Sequence, residues 1–248
     1  MLSTTLPLSA LIFLAATIYT AVGHAGASGY IAAMALFGVA PAVMKPTALC
    51  LNILVATFGT WRLHKAGWVA GQALLPFLIG SVPLAFLGGA IQLPGTLYRV
   101  VVGLVLLFAA FRLLVDPREK TLTPDGAAPR PPFLWAVPIG AVIGLVSGLT
   151  GTGGGIFLSP VLLFTGWAGA RQSAGITSPF ILINSIAGLA GNFLSLAAVP
   201  VEIPFYAAAA LAGALVGTQL AIRWFSPAAL QRALAVVLIV AAGKLILT

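Results

Sequence analysis

Two glycine-rich segments contain the residues whose types and spacing could do chemistry. The first is residues 23–29, GHAGASG, and the second is residues 148–155, GLTGTGGG. Glycines allow the backbone to leave a helix and to expose its N–H groups, and the N-terminus of a following helix favours negative charge. The pattern predicts an anion-binding nest built from backbone. The competing interpretation is close helix packing through small residues.

The predicted donors in these segments are backbone amides together with three hydroxyl groups. We predict that they bind a small anion through Gly26, Ser28, Gly29, Thr150, Gly151, Thr152, Gly153, Gly154 and Gly155.

Five further polar residues lie close to these segments in the sequence. Asn52 and Asn184 either bond a neighbouring helix or face the substrate pathway, because a polar amide deep in a membrane helix needs a partner. Lys45 and Arg171 each follow a glycine-rich segment and could attract or gate an anion; the alternative is ordinary loop charge. His24 could carry a proton for coupling, and its alternative is an imidazole bonded to a carbonyl.

Gly26-Ala27-Ser28-Gly29 also resembles the G-x-S-G signature of intramembrane rhomboid proteases. That chemistry needs a histidine on another helix within hydrogen-bond reach of the serine. The chain has two histidines, of which His24 lies four residues before Ser28 and His64 lies in a charged loop. We therefore predict no enzyme, and equally no catalytic residue, no metal ligands and no cofactor.

The composition excludes a water-soluble protein. Of 248 residues, 6% are charged and 60% are hydrophobic, and the mean hydropathy is +1.12, whereas a soluble domain has about 25% charged residues. The net charge of +8 indicates cationic loops on one membrane face rather than a nucleic-acid surface. The only cysteine, Cys50, cannot form an intramolecular disulfide.

Continuous apolar runs without alternation predict an all-α integral membrane fold. Two domains of about five helical segments each are expected, residues 1–115 and 133–248, joined by a linker at 116–132 that is rich in proline and charge. The second segment of each half is short for a span and rich in glycine, which predicts broken or re-entrant helices at the interface between the halves. The ten predicted segments are 6–23, 27–44, 46–61, 68–93, 97–115, 133–149, 153–168, 175–199, 203–224 and 228–247.

The two halves repeat each other and are predicted to be inverted. Residues 23–29 match 148–154 at a spacing of 125, and Gly80, Pro94, Leu97 and Arg99 each match a residue 133 positions later. Five crossings per half place nine cations on one face and three on the other, which the positive-inside rule favours. The linker is then cytoplasmic. The nine are Arg62, Lys65, Arg112, Arg118, Lys120, Arg130, Arg171, Arg223 and Arg232, and the three are Lys45, Arg99 and Lys244.

The acidic residues argue for an anionic substrate. Asp116, Glu119 and Asp125 lie in the linker, and Glu202 lies at a segment boundary between two prolines. A cation carrier or a carboxylate proton relay would need an acid inside a membrane segment. The sequence therefore disfavours a cation carrier and a carboxylate proton relay.

Residues 148–160, GLTGTGGGIFLSP, followed by Thr177-Ser178-Pro179, resemble the motifs of the sulfite exporter TauE/SafE family. The closing pattern at 213–232 is similar to that family as well, and the first half shows the pattern more faintly. The resemblance implies a bacterial inner-membrane transporter of small anions, typically sulfite or organosulfonates. It also adds Thr177 and Ser178 to the predicted substrate-binding residues.

The sequence is thus interpreted as a secondary transporter, an exporter of small anions such as sulfite or organosulfonates, working by alternating access as the inverted halves rock. Its partners would be the anion, membrane lipids and, for coupling, protons on His24 or on the substrate itself. The alternatives are another small anion, such as a carboxylate or other oxyanion, and a channel or lipid-handling subunit. Oligomeric state is left open.

Overall fold

The computed structural model describes residues 2–21, 23–114, 131–223 and 228–247. These residues form ten α-helices and one 3-10 helix, and none of them is in a strand. The predicted linker lies almost wholly outside the described residues. The helices are α1 Leu2–Ala21, α2 Ala27–Leu36, α3 Pro41–Lys65, α4 Gly71–Ala90, α5 Gly95–Leu114, α6 Phe133–Thr150, α7 Gly155–Phe164, α8 Ala170–Gly191, α9 Ile203–Arg223 and α10 Ala228–Leu247, with the 3-10 helix at Phe193–Ala198.

Helix length and hydropathy confirm an all-α, multi-pass membrane protein. Seven helices within the described ranges, α1, α3 to α6, α8 and α9, are long and apolar enough to cross a bilayer. Large apolar side chains face outward on several of them; Leu134 is 79% exposed and Leu104 is 58% exposed. In a membrane protein these surfaces contact lipid.

Two helices of ten residues, α2 and α7, follow the two glycine-rich segments. Each begins after a glycine in the left-handed region, Gly26 at φ 107° and Gly154 at φ 80°. Side chains with a β-carbon rarely adopt this conformation, so glycine is needed at both positions. The chain therefore breaks at corresponding places in the two halves; we call residues 23–26 break 1 and residues 151–154 break 2.

The boundary between the second and third helices differs from the sequence prediction. The predicted segment 27–44 ends early, at Leu36, because Gly38 turns the backbone at φ 71°. α3 then starts at Pro41, in the first turn, where proline needs no N–H partner. Pro46, which we expected to open the segment, lies inside α3. Similarly, α8 begins at 170 rather than 175 and ends at 191.

Glycines bring two helix pairs into backbone contact. α6 packs along α4, and a β-carbon at Gly144 would lie 2.6 Å from Ser81 Cα. α1 packs along α9, where a β-carbon at Gly217 would lie 2.9 Å from the Thr17 carbonyl carbon. Small residues permit such close approach in membrane helices. The helices of each pair run in the same direction, because residue numbers rise together along both contacts.

α3 and α8 cross in opposite directions at the centre of the protein. Thr60 Oγ1 and Ser178 Oγ are 3.2 Å apart, and Asn52 Nδ2 donates to Ser185 Oγ at 3.3 Å. Asn52 and Ser185 are 133 residues apart, the spacing at which Gly80, Pro94, Leu97 and Arg99 match residues of the second half.

Candidate anion site at the two helix breaks

Break 1 is held by tyrosines. Ser28 Oγ donates to Tyr19 Oη at 2.6 Å, and Tyr30 Oη donates to the Ala25 carbonyl. Gly23 packs against Ala174 of α8. Ser28 would be the nucleophile in the protease interpretation, but its hydroxyl donates to the phenol of Tyr19. The described partner of His24 is a backbone carbonyl.

Break 2 has three glycines with positive φ, Gly151, Gly153 and Gly154. The hydroxyls around it are partly engaged. Thr150 Oγ1 donates to the Val146 carbonyl at 2.7 Å and lies 3.0 Å from Thr152 Oγ1. Tyr98 Oη of α5 donates to the Thr150 carbonyl at 3.1 Å, which fixes the end of α6.

Side chains of α3 and α8 press on break 2. A β-carbon at Gly153 would lie 2.5 Å from Asn52 Nδ2 and 3.0 Å from Ser185 Oγ. A β-carbon at Gly155 would lie 2.8 Å from Thr177 Cγ2. Asn52 Nδ2 also donates to the Thr152 carbonyl at 3.3 Å. The predicted residues Asn52, Thr177 and Gly153 therefore meet in one buried place.

The two breaks meet through His24. Its Nε2 lies 3.1 Å from the carbonyl oxygen of Gly155, the first residue of α7. A carbonyl can only accept, so this contact is a hydrogen bond when Nε2 carries the proton. The geometry agrees with the alternative of an imidazole bonded to a carbonyl, and it ties one half of the chain to the other. Proton coupling through His24 stays a prediction.

Lys45 is 5% exposed and lies beside the C-terminal end of α4. Its ammonium nitrogen donates to the carbonyls of Gly88 at 3.2 Å, Gly89 at 2.8 Å and Ile91 at 3.1 Å. These oxygens include helix-terminal acceptors, and a cation is stabilised at that end of a helix. All three ammonium protons have carbonyl acceptors, so the observed role of Lys45 is to cap the end of α4. Attraction or gating of an anion by Lys45 stays a prediction.

Replacing Lys45 by methionine is expected to lower the free energy of unfolding by about 1–3 kcal/mol, because buried carbonyls lose their donor. The matched control is Lys65→Met, since Lys65 is exposed and rests over Trp61 at 4.2 Å; there we expect a change of roughly 0.5 kcal/mol or less. Unfolding midpoints in detergent measure both. A Lys45→Met protein of unchanged stability that has lost transport would contradict capping and favour direct attraction.

Three predicted residues lie farther from this meeting point or are already engaged. Arg171 is exposed at the start of α8, with its guanidinium 5.5 Å from the centre of the Trp68 ring. Ser178 contacts Thr60, and Asn184 Nδ2 donates to the Phe180 carbonyl at 2.9 Å. All three lie on α8, Arg171 at its start beside Trp68 and Ser178 and Asn184 farther along it.

Sequence reasoning missed Ser147 and Ser185, both 0% exposed beside break 2. Ser185 directly follows Asn184, which the sequence did single out, and it accepts a hydrogen bond from Asn52. Ser147 directly precedes the glycine-rich segment, but nothing in its sequence context separates it from a packing residue.

The sequence model described as "Sulfite exporter TauE/SafE" matches residues 8–245. This chain belongs to the sulfite exporter TauE/SafE family. It is also 42% identical over 234 residues to a protein of Sinorhizobium fredii named "Probable membrane transporter protein y4hK", covering 94% of this chain and 95% of that protein. No solved structure matches. This TauE/SafE family member is accordingly a membrane transporter, in agreement with its spanning helices.

Proposed function

We propose that this transporter exports small anions, such as sulfite or organosulfonates, by alternating access, with the anion bound where the two breaks meet. The contact between His24 and the Gly155 carbonyl carries the proposal, because it links break 1 to the residue that directly follows break 2. Half-helix N-termini at such a place favour an anionic group.

The charge around the breaks supports an anion rather than a cation. Glu202 is the one acidic residue within the described part of the chain, and it lies just before α9. A site made of amides and hydroxyls can bind a monoanion, and Lys45 lies beside Gly151 as a nearby cation.

Helix directions support the inverted arrangement that alternating access uses. α8 begins beside Trp68, which precedes α4, and its Gly188 contacts Gly89 near the end of α4, so the two helices run in parallel. α6 runs with them. α1 runs with α9, which starts where α8 and its 3-10 extension end. On this path the first helices of the two halves, α1 and α6, point in opposite directions.

Flux from proteoliposomes tests the proposal. Proteoliposomes loaded with sulfite should lose it faster than protein-free liposomes with the same load under an imposed pH gradient. The same measurement with sulfate, acetate and methanesulfonate defines the preference among anions. Sulfite flux equal to that of protein-free vesicles at every pH gradient would contradict the sulfite assignment. Faster acetate flux in the same vesicles would favour a carboxylate carrier instead.

A further inference from the structure

Several buried polar atoms around break 2 have no hydrogen-bond partner within the protein. Among the described residues these include Asn52 Oδ1, Ser147 Oγ and Thr177 Oγ1, and all three side chains are 0% exposed. Buried polar groups are nearly always bonded, so each exception needs an explanation. Asn52 and Thr177 contact the positions of Gly153 and Gly155, and Ser147 Cβ would lie 3.3 Å from a β-carbon at Gly154. The three residues therefore line one short backbone segment, residues 153–155, through Asn52 Nδ2, Ser147 Cβ and Thr177 Cγ2.

The hydroxyl of Thr177, like that of Thr47 in α3, has no hydrogen-bond partner among the described residues. Threonines in helices commonly bond the carbonyl four residues earlier, whereas Thr177, although inside α8, has no such bond. Its hydroxyl therefore keeps a donor that no described residue accepts. The threonines that do bond the earlier carbonyl are Thr17, Thr20, Thr57, Thr150, Thr165 and Thr218.

The orientation of the Asn52 amide is fixed by its neighbours. Nδ2 faces the Thr152 carbonyl, which can only accept a hydrogen bond, so the oxygen cannot take that place. Oδ1 is therefore an acceptor left without a donor. A ligand that satisfies it has to bring a proton, while the hydroxyls of Ser147 and Thr177 can donate to negatively charged oxygens.

We propose that Asn52, Ser147 and Thr177 form a binding site at break 2 that selects a monoanion still carrying one acidic proton, as hydrogensulfite does, over its fully deprotonated dianion. The inference rests on the proposed anion transport and narrows its substrate. A dianion offers only acceptors and would be repelled by Asn52 Oδ1. A protonated monoanion matches the mixed set of donors and one acceptor.

Titratable groups of the protein also contact the breaks, and the test has to separate them from the ligand. They are Lys45 of α3, whose ammonium is bonded to carbonyls, His24 of break 1, Tyr19 and Tyr30 beside break 1, and Tyr98 of α5. The variant His24→Gln keeps a donor for the Gly155 carbonyl but does not titrate.

Binding of sulfite to the purified full chain, measured by calorimetry between pH 6 and pH 8.5, tests the proposal. Affinity for total sulfite should fall about tenfold per pH unit above the second ionisation of sulfite, and the fall should persist in His24→Gln. Sulfate, a dianion, and methanesulfonate, a monoanion without the acidic proton, should bind at least about tenfold more weakly. Affinity that rises with pH, or equal binding of methanesulfonate, would overturn the inference while leaving anion transport intact. No sulfite binding or flux at any pH would instead defeat the proposed function.

Thr177→Val removes only the unpartnered hydroxyl. We expect hydrogensulfite affinity to fall about tenfold, with an unchanged or higher unfolding midpoint because a buried unsatisfied group is lost. The matched control is Thr218→Val in α9, which loses a bond to the Ala214 carbonyl and should leave affinity unchanged. Wild-type affinity in Thr177→Val would overturn the site assignment.

Discussion

Gly153→Ala is expected to reduce transport at least about tenfold, which corresponds to roughly 1.4 kcal/mol of lost stabilisation. Gly153 has φ 77°, and its new β-carbon would lie 2.5 Å from Asn52 Nδ2 and 2.9 Å from Ile181 Cγ2. The left-handed backbone costs a side chain about 1–2 kcal/mol, and the clash displaces the amide that orients break 2. Flux in proteoliposomes, normalised to the amount of folded protein, measures the loss.

Gly166→Ala is the matched control for this substitution. Gly166 has φ 70° and nothing within 4 Å of its β-carbon position. It therefore has a similar backbone cost without the contact with α3 and α8, and its flux should stay close to that of the unmodified protein. If both variants transport equally, break 2 acts only as a turn and the site proposal fails.

Gly144→Ala is expected to lower the free energy of unfolding by about 1–3 kcal/mol through overpacking. Helix propensity alone predicts the reverse, a gain of up to about 1 kcal/mol. The added carbon would lie 2.6 Å from Ser81 Cα and still closer to the Ser81 carbonyl oxygen, so the backbones of α4 and α6 have to separate. Thermal unfolding in detergent, together with the yield of monodisperse protein, measures this effect.

Gly243→Ala makes the same chemical change inside α10, where nothing lies within 4 Å of the β-carbon position. We expect it to be neutral or stabilising. The difference between the two variants isolates the α4–α6 contact. A Gly144→Ala protein as stable as Gly243→Ala would mean that these helices do not pack as closely as described.

The sequence predicts helices well where hydropathy and capping act together. The segment 228–247 coincides with α10, and the glycine-rich segments lie where the chain breaks. The predicted border near Lys45 and Pro46 was wrong, because the chain turns earlier, at Gly38, and Pro46 is the sixth residue of α3. The sequence alone does not show whether the helix boundary lies at Gly38 or at Pro46.

The position of the polar residues near the breaks follows partly from the sequence, while their role in binding an anion stays a prediction. The sequence identifies the glycines as places where a helix breaks, and the hydroxyls and Asn52 as polar groups in apolar surroundings. The hydrogen-bond acceptors of Lys45 could not be predicted, since they are carbonyls 43 to 46 residues away that become adjacent only when α3 and α4 pack. Similarly, no local pattern distinguishes the free hydroxyl of Thr177 from the bonded ones.

The glycine-mediated helix pairs limit how the protein can open. α4 belongs to the first half of the chain but packs on α6 of the second, and α9 of the second half packs on α1 of the first. Each half therefore packs through glycine contacts on a helix of the other half, and separating the halves would break both of these closely packed pairs. The alternating access proposed above would therefore have to keep α1 with α9 and α4 with α6, and α3 and α8 are the helices that contact each other between these two pairs.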